Sequence, residues 1–211
     1  DSLTTTEIRL KEAQNAASIL GAQFHGPICN DFEIFYELEL LRKLTGVIRM
    51  VKPSVILTHS PSDYMEDHMN TSRLAVTAAF IRGVPNFPAD HAAVNNYDCA
   101  VYHALPHSLL DPLRRKVIPE IFIDTSAVHA TKREALEAHK SQQNWLEDSQ
   151  KMNSYIQAME NFSLTVGSMS NKFKHAEGWR RHLHFGFSEG GFDPLKELGA
   201  CYLTNEDYKF E

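Results

Sequence analysis

The apolar run Val55-Ile56-Leu57-Thr58 leads straight into His59-Ser60-Pro61-Ser62-Asp63-Tyr64-Met65-Glu66-Asp67-His68, and that loop leads into a long helical pattern. Upstream of the run, Ile34, Leu38, Leu41, Leu44, Ile48 and Val51 recur at helical spacing until Pro53 stops them. A short buried strand between two such helices satisfies its apolar faces in a layered α/β arrangement. In sheets of that kind chemistry collects at the C-terminal mouths of the strands. Asp67-His68 lies beyond that mouth, and a carboxylate next to a histidine suggests a metal site. One histidine cannot hold a metal alone.

The rest of the chain fits the same architecture. A capping-box signal at Thr4-Thr5-Thr6-Glu7 predicts a helix whose inner face is Ala16, Ala17, Ile19 and Leu20, with Gly21 as its C-cap. An extended segment over 22–28 follows, and Asn30 or Asp31 is expected to cap the next helix. After the loop, the spacing predicts a helix from Asp67 to Ile81, ended by Gly83. Residues 84–98 are rich in Pro and Asn and read as a loop. Cys99–Leu105 and Ile121–Asp124 read as strands. Thr131 and Glu134 form a second capping box for a helix to Leu146, and another helix is expected over Lys151–Leu164. The last forty or so residues read as Gly- and aromatic-rich loops around one short helix near Ala176–His182. No repeat, low-complexity tract or linker divides the chain, so 1–211 reads as one domain with a mostly parallel sheet.

Composition narrows the partners. The formal net charge of -6 argues against a nucleic-acid surface, which needs clustered Lys and Arg. Arg114-Arg115-Lys116 and Arg180-Arg181 are short runs that read as solvated faces. No apolar run approaches the ~20 residues that cross a bilayer, and no signal peptide is visible, so a cytoplasmic location is expected. The 3 cysteines, Cys29, Cys99 and Cys201, lie far apart without CxxC spacing and read as free thiols rather than zinc ligands.

Four blocks in order resemble the zinc-dependent N-deacetylases related to GlcNAc-phosphatidylinositol deacetylase, the PIG-L or LmbE-like family. Pro61-Ser62-Asp63-Tyr64-Met65-Glu66-Asp67-His68 resembles the family's Pro-x-Asp-x-His-x-Asp-His segment. Arg9-Leu10-Lys11-Glu12 with Ala16-Ala17 and Leu20-Gly21 is similar to its Arg-x-x-Glu…Leu-Gly helix. Asp124-Thr125-Ser126, with Lys132, Ala135-Leu136, His139 and Ser141-Gln142, is similar to a third block, and Ala176-Glu177-Gly178-Trp179 to the terminal one. The resemblance implies a three-layer Rossmann-like LmbE-like fold. It also implies Zn2+ as cofactor, with another divalent metal admissible, since zinc polarises a carbonyl and lowers the pKa of a bound water. It makes His68 a metal ligand and Asp67 its orienting neighbour, and it puts Arg9 near the substrate or the oxyanion. The substrate implied is a small N-acyl amino sugar or glycoconjugate; a homo-oligomer is left open.

Two departures qualify it. The family's Ala-His-Pro-Asp-Asp segment, source of further ligands and the general base, is absent from these residues, so the first strand and its loop are expected upstream of residue 1. Met65 stands where the family often has His, and a thioether cannot donate a proton or carry charge. His184 and His182 in Arg181-His182-Leu183-His184 are the candidate replacements, grouped with Asp67 as catalytic. Asp63 reads first as a loop-ordering residue and, with His59 and Arg9, is placed on the substrate side. The bland reading of Asp67 is a helix N-cap. Two other functions fit less of the pattern: an inactive sugar-binding module of the same descent, and an amidase acting on thiol conjugates.

Overall fold

The computed structural model describes residues 2–94, 97–142 and 155–208. Their contacts gather into two compact units, Asp1–Gly26 with Asp124–Glu177, and Pro27–Ile123 with Gly178–Glu211.

The first unit is helical. α1 (Ser2–Ile19) starts ahead of the expected Thr4–Glu7 box. It ends as its sequence requires: Gly21 takes φ 65 and Ala22 N–H reaches back to Ala17 O at 2.8 Å. A 3-10 turn, Ser126–Val128, runs into α4 (His129–Glu137), which therefore begins ahead of Thr131. Asp124 Oδ1 sets that start by accepting Ser126 N–H at 2.9 Å, as a short acidic side chain does at a chain reversal. α5 (Tyr155–Met169) follows. The expected helical positions 143–146 and 151–154 lie outside the described residues.

The second unit carries the sheet and the motif loop. α2 (Leu38–Val51) begins later than Asn30 or Asp31, because Glu37 is extended and cannot start a turn earlier. It closes at Lys52 in a left-handed conformation, before Pro53. Then come β1 (Val55–Thr58), α3 (Glu66–Ile81), β2 (Ala100–Ala104) and β3 (Ile121–Asp124). β4 (Ala176–Arg181), a 3-10 segment (Pro194–Cys201) and β5 (Tyr202–Thr204) complete it.

The strand order is β1-β2-β4-β3-β5. β1 pairs with β2 in parallel, but β2 with β4 and β3 with β5 run antiparallel. The sheet is thus open and mixed, which corrects the mostly parallel expectation. The correction comes from Ala176–Arg181, expected as part of a helix. Its Ala and Glu favour a helix locally, yet burial alternates, with Ala176 and Gly178 inside. A methyl on Gly178 would come within 2.6 Å of Leu105 Cδ1 and 2.9 Å of Pro119 Cβ, so the strand lies where only hydrogen fits.

The period of two along β2 also divides the core. Val101 faces α2 and α3, packing with Leu40, Leu41, Ile48, Leu74, Ala78 and Ala79. Ala100 and Tyr102 face the other way, with Ile121, Trp179, Phe192 and Tyr202. On that side Tyr102 and Tyr202 donate to the two oxygens of buried Asp193, at 2.6 and 2.9 Å. Residues 27–37 lie over α3, held by Phe32 N–H to Asp67 Oδ2 at 2.7 Å and by Asn70 Nδ2 to Ile34 O at 2.9 Å. Among the described residues no helix is long and apolar enough to cross a membrane.

Candidate functional site

The loop between β1 and α3 closes on itself. Ser60 Oγ donates to Ser62 O at 2.8 Å, and Asp63 Oδ1 accepts Met65 N–H at 3.1 Å. These short polar turns let buried Asp63 reach His68 in the first turn of α3. Its Oδ1 lies 2.9 Å from His68 Nδ1. A carboxylate accepts, so Nδ1 carries the proton and Nε2 keeps its lone pair. His68 Nε2 has no hydrogen-bond partner among the described residues, and the side chain is 28% exposed. Nδ1 held by a carboxylate with Nε2 open is how a metal-ligating histidine is oriented.

The carboxylate that orients His68 is therefore Asp63, not Asp67. Asp67 is buried in the first turn of α3 and spends Oδ2 on Phe32 N–H, tying the 27–37 segment down. Its position also suits a helix N-terminus.

His59 stacks on His68 with ring centroids 4.3 Å apart and planes 1° from parallel. A metal lies in the plane of each imidazole that binds it, about 2.1 Å from nitrogen. Parallel stacked rings cannot both meet that condition for one ion, so His59 fixes the plane of His68 without sharing its metal. Tested against zinc, the donor set fits at one position, His68. Among the described residues no three His, Cys, Asp or Glu side chains gather into a metal-holding group.

A second histidine chain runs behind the loop. Thr58 of β1 pairs in register with His103 of β2, and His103 with Arg180 of β4. His103 Nδ1 lies 2.9 Å from His59 O and 3.2 Å from Ser72 Oγ, so it is protonated and donates to the carbonyl. Its Nε2 must then accept, and His182 Nδ1 donates to it across 3.0 Å. His182 Nε2 is left as a lone pair, on a ring set edge-to-face against Phe187 at 5.3 Å. That ring lines a cavity of about 340 Å³ with Val76, Thr77, Phe80, Leu183, Phe185 and Phe187. His184 is elsewhere: its ring lies 4.4 Å from the Phe185 ring, and its carbonyl takes the N–H groups of Phe187 and Ser188. Arg9 belongs to the first unit, where its Nη2 donates to Gln142 Oε1. Sequence reasoning did not single out His103 and read Arg180 as part of a solvated face. Their signal was a polar residue on the inward phase of a strand.

Burial lowers the pKa of His103 below its usual 6.5, with the charges of His182 and Arg180 acting the same way and the His59 carbonyl opposing. Burial alone lowers that of His182. For a histidine whose folded pKa lies below its unfolded one, the unfolded chain binds more protons between the two values. Stability is then constant above the ordinary histidine range and falls as pH drops through it toward the folded pKa values. Urea midpoints measured from about pH 8 to 5 should fall in the acid half, and His103→Gln should flatten that fall. An unchanged slope in the variant would show that other groups carry it.

The fold is an open, mixed-sheet α/β fold, and its motif loop presents a carboxylate-oriented histidine at a strand mouth. Residues 2–79 match the family model described as PIG-L: GlcNAc-PI de-N-acetylase. That match covers the first helix, the motif loop and most of the helix after it, and the chain is similar to the PIG-L family there. The conserved protein TT1542 from Thermus thermophilus has a similar structure, with TM-score 0.67 and 24% identity over 84% of this chain and 74% of that one. The N,N'-diacetylchitobiose deacetylase from Pyrococcus horikoshii superposes with TM-score 0.64 and 19% identity, over 90% of this chain and 68% of that one. At those identities the likeness concerns the fold. A 4-oxalmesaconate hydratase of Pseudomonas putida is 29% identical over 139 residues, 65% of this chain. The chain spans about half, 52%, of that curated relative's length.

Proposed function

We propose that this chain belongs to a zinc-dependent hydrolase that removes an N-acyl group, acetyl by preference, from an amino-sugar substrate. The carrying observation is the Asp63–His68 contact, inside the region that matches the PIG-L family. His68 is the residue that would hold the metal, through Nε2. Bound zinc would supply Lewis acidity toward the acyl carbonyl and a water of lowered pKa. Asp63 fixes the tautomer and direction of His68, and His59 fixes its plane. Met65 cannot donate, and His182, whose tautomer is set by His103 so that Nε2 is a lone pair, is the group we assign to accept a proton at the site, ahead of His184.

The hydratase relative favours a second reading, addition of water to an unsaturated acid, on the same residues. Metal content, acetate release from N-acetyl amino sugars with and without a carboxylate or phosphate group, and loss of absorbance from an unsaturated dicarboxylate separate the two. Zinc-dependent acetate release is the expected result. Hydration without acyl release would replace the reading with the second one.

A further inference from the structure

Three arginines lie at least half buried in the sheet unit without a carboxylate partner among the described residues, and their surroundings differ. Arg49 donates to the carbonyls of Arg82, Val84, Phe87 and His91, and Arg82 to those of Ala79, Tyr97, Gly186 and Phe187. Each is neutralised by several oriented dipoles. Arg180 has one hydrogen bond among the described residues, from Nη2 to Ser60 Oγ at 2.9 Å; its Nε, like that of Arg82, is buried with no partner, but it has no array of carbonyls around it. A guanidinium offers five N–H donors, and leaving a charged donor unmet in a half-buried place is costly.

The position of this guanidinium gives the gap a meaning. Thr58, His103 and Arg180 stand in one row across β1, β2 and β4, so their side chains share a face of the sheet. It is the face that Ser72 of α3 covers, directly under the loop that carries Asp63 and His68. Thr58 is 9% exposed, and its Oγ1 also has no partner. Two unmet polar groups, one of them cationic, therefore border the strand mouth, and Arg180 itself is partly open to solvent. Burial pushes its guanidinium pKa below the usual value, with only the Tyr208 hydroxyl opposing.

We propose that Arg180, with Ser60 and Thr58, is an anion subsite of the His68 site, so that the substrate carries a carboxylate or phosphate group beside the bond that reacts. The inference rests on the reading that the His68 loop is the active site, and it narrows the substrate to an acidic one. A carboxylate or phosphate oxygen takes guanidinium N–H groups on the open part of the Arg180 side chain that have no protein partner, beside the unmet Thr58 hydroxyl. A neutral sugar hydroxyl would leave the positive charge uncompensated.

The test is anion binding by the whole protein, with inorganic phosphate and malonate as probes, titrated calorimetrically at constant ionic strength set with chloride. Wild type should bind one or both above the chloride background, the preferred probe telling phosphate from carboxylate. Arg180→Met should weaken that binding at least about tenfold, the loss of one charge-assisted contact. Arg180→Lys, which keeps the charge but not the fork, should fall between. Should Arg180→Met fail to fold, Thr58→Val removes the second donor in the same shape and should weaken binding severalfold. No binding by wild type, or equal binding by wild type and variants, overturns the inference. Arg180-dependent binding in a protein that releases no acyl group keeps the subsite and overturns the deacetylase reading instead.

Discussion

His68→Ala yields a folded protein that retains no zinc and releases acyl groups at the background rate. Among the described residues, Nε2 of His68 is the imidazole lone pair at the loop that a carboxylate behind the ring orients and no protein group uses. His59 is parallel to it and cannot swing into its plane without breaking the 4.3 Å stack. Asp63→Asn separates holding the ligand from orienting it. The amide is isosteric and can still receive Met65 N–H, but it no longer selects the Nδ1–H tautomer as a carboxylate does. Metal affinity should fall by about 10–100-fold, the usual effect of losing a carboxylate behind a ligating histidine. Metal content after dialysis against a graded chelator measures both variants. Full zinc and full activity in His68→Ala would falsify the assignment, and equal chelator resistance in wild type and Asp63→Asn would remove Asp63 from it.

The largest effect on stability is expected at Arg82. Its Nη1 and Nη2 join the last turn of α3 at Ala79 O to Tyr97 O and Phe187 O, at 2.7 to 2.9 Å, with the guanidinium over the Tyr97 ring at 4.8 Å. Three separate pieces of chain converge on one buried cation. Arg82→Met fills the volume but strands those carbonyls, each costing roughly 1 kcal/mol or more. A loss of about 3 kcal/mol follows, or on the order of 10 °C in Tm for a chain of this size. Arg82→Lys should recover little of it, since an ammonium cannot span the same fork. Thermal unfolding of the two variants decides the matter, and a shift of only a degree or two would mean that the carbonyls find water.

Some of this was legible in the residues. Val55–Thr58, the loop and α3 came out correctly because apolar runs, Pro53 and helical periodicity all point the same way there. Pro53 and Gly21 end their helices where helix-stop and C-cap chemistry say they should. The start of α2 was not legible, because Ile34 lies in phase with the helix but is held in a loop by Asn70, 36 residues away. Ala176–Arg181 was misread because the pairing that makes it a strand lies with Tyr102, His103 and Ala104, far off in sequence. The motif named the right neighbourhood, yet the exchange of roles between Asp63 and Asp67 depends on which carboxylate faces inward after a turn. No spacing rule encodes that. Arg180 was hidden for a similar reason: beside Arg181 it looks like half of a basic surface run, while strand alternation sends the two to opposite faces.

The two pins on the 27–37 segment have a mechanical consequence. Asp67 and Asn70 are one turn apart on α3, and they hold the Phe32 N–H and the Ile34 carbonyl of that segment. A segment clamped at two nearby points on a rigid helix cannot act as a flap hinged away from it. It is a fixed rim, so traffic past it toward His68 is governed by the shape and charge of the opening rather than by a timed closure.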